Sequence, residues 1–529
     1  MSAPFDVIII GSGFGGAVTS CRLAEKGMNV LILERGRRWD PEDYPNEPDD
    51  DWVYDVKEPH MQNGWLDLRT FDDMMVAMGA GVGGGSLIYA NVSLIPPKRT
   101  FDEGWPPEIT FEGLEPYYEE VGRMLNLQKI PRNQLTKRYK LTQEAAEKLG
   151  YTDRFDSVPL TVTFDPEWSY DLDDPFNEKH SKTWINDQGK EQGTCVHLGN
   201  CDIGCPVKAK NTLDFNYIAL AEQYGAEVRP LHFVKYIEPE DGSYRVHFDR
   251  LQERQRFQGS EVAPRVILAA GSIGSTEILL RSRDQYKALP DLSHFLGHNW
   301  SSNGDFLTPA IHKDREISST QGPTITSAVD FLDGEEVEQR FILEDGGFPD
   351  ILGNYLEEKV DQGIKRFRNR KFKVLLEAVG EVMRMRDPLN HVMPWFANGV
   401  DAANGRLYLG RYWYAPCKRK LKLDWEIDRS EELIESIIQM HKRFAEATGG
   451  DIWVSPTWSV LKNLITPHPL GGCNIGTSPE NGVVNHRGEV FGYPNLYVAD
   501  GAIVPKAIGL NPSRTIAALA ERIAHLMEK

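Results

Sequence analysis

Residues 5–36, FDVIIIGSGFGGAVTSCRLAEKGMNVLILERG, constrain the fold more than any other stretch of this chain. Val7 to Ile10 is a short, wholly apolar run, which predicts a strand buried on both faces of a parallel sheet. Gly11, Gly13 and Gly16 follow it in the order G-x-G-x-x-G. Ala17 to Lys26 carries helical character that Gly27 ends, and Val30 to Leu33 predicts a second strand with Glu34 at its end. In such a unit Gly11 allows the tight turn, Gly13 lets the backbone approach a pyrophosphate, and Gly16 lets helix and strand pack closely. The free N–H groups at the start of the helix suit phosphate, and an acid about twenty residues on suits ribose hydroxyls. The fingerprint by itself does not distinguish a flavin from a nicotinamide dinucleotide.

Three further segments extend the pattern. GAGVGGGSLIYANVSLIPP, Gly79 to Pro97, is a second glycine-rich stretch; it suits a long cofactor approached closely along its length, or else a mobile loop. Near the other end, Leu496 to Ala499 predicts a strand closed by Asp500-Gly501. Asn511-Pro512 then opens a helix with Ile516, Leu519, Ala520 and Ile523 at helical spacing, Asn being a good N-cap and Pro a good first residue. VILAAGSIGSTEILLRS repeats the theme: Val266 to Ala270 predicts a strand that runs through Gly271-Ser272 into a helix.

Composition sets outer limits. At 529 residues the chain exceeds one core, so at least two domains are expected. A net charge of −19 disfavours nucleic acid and anionic membrane as partners. No apolar run is long enough to span a bilayer, and MSAPFDVIII reads directly into a strand without a signal-peptide pattern. Six cysteines in so long a chain are no disulfide scaffold, so a reduced, cytoplasmic protein is expected. The acidic run Glu47 to Asp51 predicts a solvated loop or lid.

GSGFGG with Glu34, GVGGGSLIYAN, VILAAGSIGSTEILLRS, TPHPLGGC and ADGAIVPKAIGLNPSRTIAALAER together resemble the glucose–methanol–choline (GMC) family of FAD oxidoreductases, and within it the cholesterol oxidase-like branch. The resemblance implies an α/β protein: a discontinuous Rossmann-like FAD domain from residues 1–98, 193–305 and 462–529, and an α+β substrate domain with a mixed or antiparallel sheet from residues 99–192 and 306–461. It implies FAD contacts from Gly11, Ser12, Gly13, Phe14, Gly15, Gly16, Glu34 and Arg35, then from Gly83, Gly84, Gly85, Ser86, Tyr89, Ala90 and Asn91. Val234, Ala270, Gly271, Asp500, Gly501, Asn511, Pro512 and Thr515 complete that set, with Asp500 on the ribityl chain or nearby backbone. No His interrupts LIYAN, so the flavin is expected to be non-covalent.

For chemistry, the resemblance points to His468 of TPHPLGGC, which would take the hydroxyl proton while flavin N5 takes the hydride. Asn511 would hold the substrate oxygen, a role in competition with capping the last helix. The amino end of that helix would direct positive dipole at the reduced flavin. The family's sterol oxidases also use a carboxylate from the substrate domain; no motif places it here, and Glu377 and Glu381 are candidates by position only. The expected activity is oxidation of CH–OH to C=O on a hydrophobic, sterol-like small-molecule alcohol. The alternatives are a sugar or aromatic-alcohol dehydrogenase and a non-catalytic flavin electron carrier. The acceptor would be O2 or an electron-carrier protein.

One stretch falls outside that picture. Cys195, Cys201 and Cys205 lie within eleven residues, followed by Pro206, and overlay a ferredoxin run in which Leu198 replaces the second ligand. They resemble the cysteines of iron–sulfur-containing GMC dehydrogenases. Three readings stay open: a three-iron (3Fe–4S) cluster, a zinc site with His197 as fourth ligand, or no metal.

Overall fold

The computed structural model describes residues 4–44, 50, 52–349, 388–412, 415–454, 458 and 462–528. The acidic run at 47–51 falls almost wholly outside them, as do Glu377 and Glu381. The protein is a mixed α/β structure with a Rossmann-like unit.

Its centre is a five-stranded parallel sheet in the spatial order Leu496–Val498, Arg265–Leu268, Val7–Ile10, Val30–Leu33 and Glu227–Arg229. Val7 pairs with both Val30 and Arg265, so the first strand sits in the middle, where the chain winds out in two directions. All four residues of Val7–Ile10 and of Val30–Leu33 are buried, as a sheet covered on both faces requires. Each such side chain contributes roughly 1.5–3 kcal/mol of burial.

Three helix boundaries differ from the sequence reading. The first helix is Phe14–Glu25, beginning directly after Gly13, so Gly15 and Gly16 lie inside it. The strand expected to reach Ala270 ends at Leu268, and the helix Gly271–Leu280 already includes Gly271. The last helix is Ser513–Leu526 and Pro512 is its N-cap residue, with no side-chain cap. Asn511 therefore does not cap it. The first and last helices pack together, fastened where Arg22 meets Glu521 at 2.8 and 2.9 Å and Tyr217 donates to the same carboxylate at 2.7 Å.

A second, antiparallel sheet has six strands in the order Asp451–Ile452, Phe306–Ile311, Val392–Gly399, Phe341–Asp345, Ser327–Asp330 and Phe155–Ser157. Phe396 pairs with Leu307 on one side and Glu344 on the other; Asn398 lies two residues on, so these side chains share one face. The strand Leu464–Thr466 pairs in parallel with Met74–Gly79 and delivers the TPHP turn to the junction of the two large sheets. No helix among the described residues is long and apolar enough to cross a membrane.

Candidate active site

In an open parallel sheet the carboxyl ends of the strands form the ligand crevice. Here Gly11–Gly15, Glu34, Ala269–Gly274 and Asp500–Gly501 all follow such ends and line one cavity of about 680 Å³. Gly84, Gly85, Tyr89 and Ala90 form its next wall, and Val234 another. Glycine is required where the walls meet. A Cβ on Gly15 would lie 1.9 Å from the Ala499 carbonyl oxygen. A Cβ on Gly84, whose φ is +53°, would lie 2.5 Å from the Cα of Gly13. The two glycine-rich stretches are therefore in backbone contact and make a single track.

Polar groups fix this track. Glu34 is 4% exposed; its Oε2 accepts from the Ser12 N–H at 3.0 Å and the Ser12 hydroxyl at 2.7 Å, and its Oε1 accepts from Gly36 N–H at 2.9 Å. Asp500 accepts from Gly271 N–H, Ser275 Oγ and Ala502 N–H, tying the ends of two strands together, and burial pushes its carboxyl up to about 6. Arg35 lines the cavity and pairs with Asp67 at 2.5 Å; Arg69 joins the same Asp67 to Glu277.

Some expected contacts face elsewhere. Gly16, Gly83, Ser86, Asn91 and Thr515 do not line the cavity. Gly16 packs against Gly11, Ser86 links Gly83 O to Leu213 N–H, and Thr515 meets the Tyr118 hydroxyl at 3.1 Å. Asn91 is buried at φ 68° with both side-chain polar atoms unpartnered.

His468 and Asn511 do line the cavity, along with Phe396, Pro512 and Ser513. His468 Nδ1 stands 3.0 Å from Asp305 Oδ1, and Asp305 Oδ2 accepts from Thr466 Oγ1 at 2.6 Å. Asn398 Nδ2 donates to Asp305 Oδ1 and lies 3.1 Å from His468 Nδ1. A buried carboxylate can only accept, so Nδ1 carries the proton and Nε2 is the ring nitrogen left for the cavity. Nothing in the sequence singled out Asp305 or Asn398; Thr466, two residues before His468, is the only local signal.

Asn511 Nδ2 lies 3.5 Å from Glu344 Oε2, while Asn511 Oδ1 and Glu344 Oε1 are buried without partners. Glu344 is 0% exposed, and burial pushes its carboxyl well above the ordinary range. This acid comes from the middle of the six-stranded sheet.

The cysteine loop does not assemble a metal centre. Among the described residues no group of three His, Cys, Asp or Glu side chains is placed to hold a metal ion. Cys195, Cys201 and Cys205 are free thiols. Burial pushes the Cys201 thiol up to about 11 and raises that of Cys195 well above its ordinary value. Two sulfurs instead accept backbone N–H groups, Cys195 from His197 at 3.4 Å and Cys205 from Ala209 at 3.3 Å. His197 is no zinc ligand either. Its ring stacks on Trp168 at 4.1 Å, Nε2 bonds Gln134 Oε1 at 3.2 Å and Nδ1 the Tyr170 hydroxyl at 3.3 Å.

The profile of an NAD(P)-binding Rossmann-like domain matches residues 9–40, and that of GMC oxidoreductase matches residues 416–520. The chain is 31% identical to a cholesterol oxidase of Mycobacterium tuberculosis over 99% of its length and 91% of the relative's. It is also 31% identical to a cholesterol oxidase of Acinetobacter baumannii over 98% and 93%. Among solved structures, a pyridoxine 4-oxidase from Mesorbium loti superposes with a TM-score of 0.64 at 15% identity, covering 98% of each chain.

Proposed function

The chain belongs to the GMC oxidoreductase family, in its cholesterol oxidase-like branch, and on that premise we propose that it oxidises the carbinol of a hydrophobic, sterol-like alcohol with bound FAD and oxygen as acceptor. The residues present fit the cofactor: the track's walls approach so closely at Gly15 and Gly84 that neither position admits a Cβ, and Asn511 Oδ1 is an orphaned polar atom in its wall. FAD supplies the acceptor for the hydride. The chain supplies everything else.

The observation that carries the proposal is the Asp305–His468 pair at 3.0 Å, set at the cavity wall that Asn511 shares. With Nδ1–H held by Asp305, Nε2 receives the hydroxyl proton, and the imidazolium formed is stabilised by the buried carboxylate. Asn511 holds the substrate oxygen in line. Glu344, on the substrate-facing sheet, takes the place of the carboxylate used by the family's sterol oxidases, with Asn511 as its partner. The amino end of the helix Ser513–Leu526 presents free N–H groups where negative charge develops.

The test is anaerobic mixing of FAD-loaded protein with primary alcohols, secondary alcohols and sterols. At least one alcohol should bleach the flavin, His468→Ala should abolish bleaching, and air should restore the oxidised spectrum. No bleaching by any alcohol sinks the proposal; bleaching that air does not reverse replaces oxygen with another acceptor.

A further inference from the structure

The cavity has a second polar point, separate from His468 and Asn511. Asp202, between Cys201 and Ile203 on the cysteine loop, enters its wall. Thr324, which also lines the cavity, stands beside it. Thr324 and Ile325 lead into the strand Ser327–Asp330, so the six-stranded sheet borders this part of the cavity.

The carboxylate is underserved there. Its one hydrogen-bond partner among the described residues is Thr324 Oγ1, 3.2 Å from Oδ1. The nearby cations are engaged elsewhere. Lys210 Nζ is spent on the carbonyl oxygens of Leu87, at 2.9 Å, and Cys201, at 2.5 Å. Arg138 donates to the carbonyl oxygens of Thr324, Asp345, Gly346, Gln321 and Pro323 and pairs with Asp345. Burial pushes the Asp202 carboxyl up to about 6 and holds Lys210 down to about 8.

The loop is also fixed in place. A Cβ on Gly199 would lie 1.9 Å from Thr320 O, and Lys210 ties Cys201 to Leu87. A carboxylate held in a cavity wall with one hydrogen bond, its nearby cations engaged by carbonyls, retains acceptor capacity for a donor entering the cavity.

We propose that Asp202 and Thr324 form a second recognition point for the substrate, taking a hydrogen-bond donor, an ammonium or a second hydroxyl, carried on an apolar spacer remote from the carbon being oxidised. This deepens the proposed alcohol oxidation and rests on it. The preferred substrates are then bifunctional: an amino alcohol, a diol or a side-chain-hydroxylated sterol, rather than a plain alkanol.

The test uses FAD-loaded protein and two probe series of matched chain length, 1-alkanols and α,ω-amino alcohols, read by calorimetric binding and by anaerobic flavin bleaching. At one chain length the amino alcohol should bind about tenfold tighter than its alkanol, as a partly buried charge-assisted hydrogen bond implies. Asp202→Asn should shrink that gap to about threefold or less, and Thr324→Val should narrow it. Should Asp202→Asn fold poorly, the wild-type comparison and Thr324→Val still decide. Equal affinity for the two series at every length in the wild type, or an unchanged gap in the variants, overturns the proposal. An Asp202-dependent gap in binding without any bleaching upholds the recognition point and overturns the alcohol oxidation instead.

Discussion

Asp305→Asn is the sharpest perturbation of the proposed chemistry. The replacement has the same shape, and the site has no room to rearrange, because the Asp305 side chain is 0% exposed and already bonded to His468, Thr466 and Asn398. What changes is charge and hydrogen-bond sense. A hydrogen bond to a charged partner is worth about 1.5–3 kcal/mol. At 1.36 kcal/mol per tenfold, its loss in the transition state slows proton removal by about 10- to 150-fold. An amide nitrogen turned toward Nδ1 would also favour the tautomer with the proton on Nε2, which cannot accept, and this pushes the effect to the upper end. The assay is stopped-flow flavin reduction under nitrogen across pH, with retained flavin absorbance as the folding control. Thr466→Val removes a neutral donor from Oδ2, together with the same hydroxyl's bonds to Ser302 O and the His468 N–H, and should cost at least about 0.5–1.5 kcal/mol, or roughly 2- to 12-fold. If Asp305→Asn reduces its flavin within about threefold of the wild-type rate at every pH, the pair does not act as described.

Three further outcomes follow from the geometry. Gly15→Ala drives a methyl into the Ala499 carbonyl, so the protein should purify without flavin, as its visible spectrum will report. Arg138→Met leaves the fully buried Asp345 without its cation 3.6 Å away and five carbonyls without their donor; urea unfolding should show a loss of about 3–5 kcal/mol. Burial holds both His197 and His441 down to about 3, below the unfolded value near 6.5, so both fold as neutral rings. Their contribution is full above pH 6.5 and is lost as pH falls from there toward 3, by up to about 4 kcal/mol each. Unfolding of the apoprotein between pH 7 and 4 should show that decline, and His441→Gln should flatten it.

The nucleotide end was legible because its signals are local. The apolar runs Val7–Ile10 and Val30–Leu33 and the glycines between them lie within thirty or so residues and are strands and turn in the structure. The helix start shifted from Ala17 to Phe14 because helical periodicity is blind to glycines that tertiary packing admits to a first turn. Asn511 read as a site residue with a helix cap as its rival; the helix beginning at Ser513, with Pro512 as its N-cap residue, removes the rival. Asp305, Asn398 and Glu344 left no trace in the sequence, since their meeting depends on the register of strands that are not neighbours in the chain. The cysteine spacing invited a metal reading, yet Trp168, Gln134 and Tyr170, none of them near in sequence, claim His197 first.

The central sheet is finished by the strand Leu496–Val498, laid against Arg265–Leu268. Until that last strand emerges from the ribosome, the apolar flank of Val266–Leu268 has no neighbour and the wall built by Asp500, Gly501 and Asn511 does not exist. The sheet edge therefore stays open, and the cofactor track incomplete, until a segment more than two hundred positions along the chain folds back onto it.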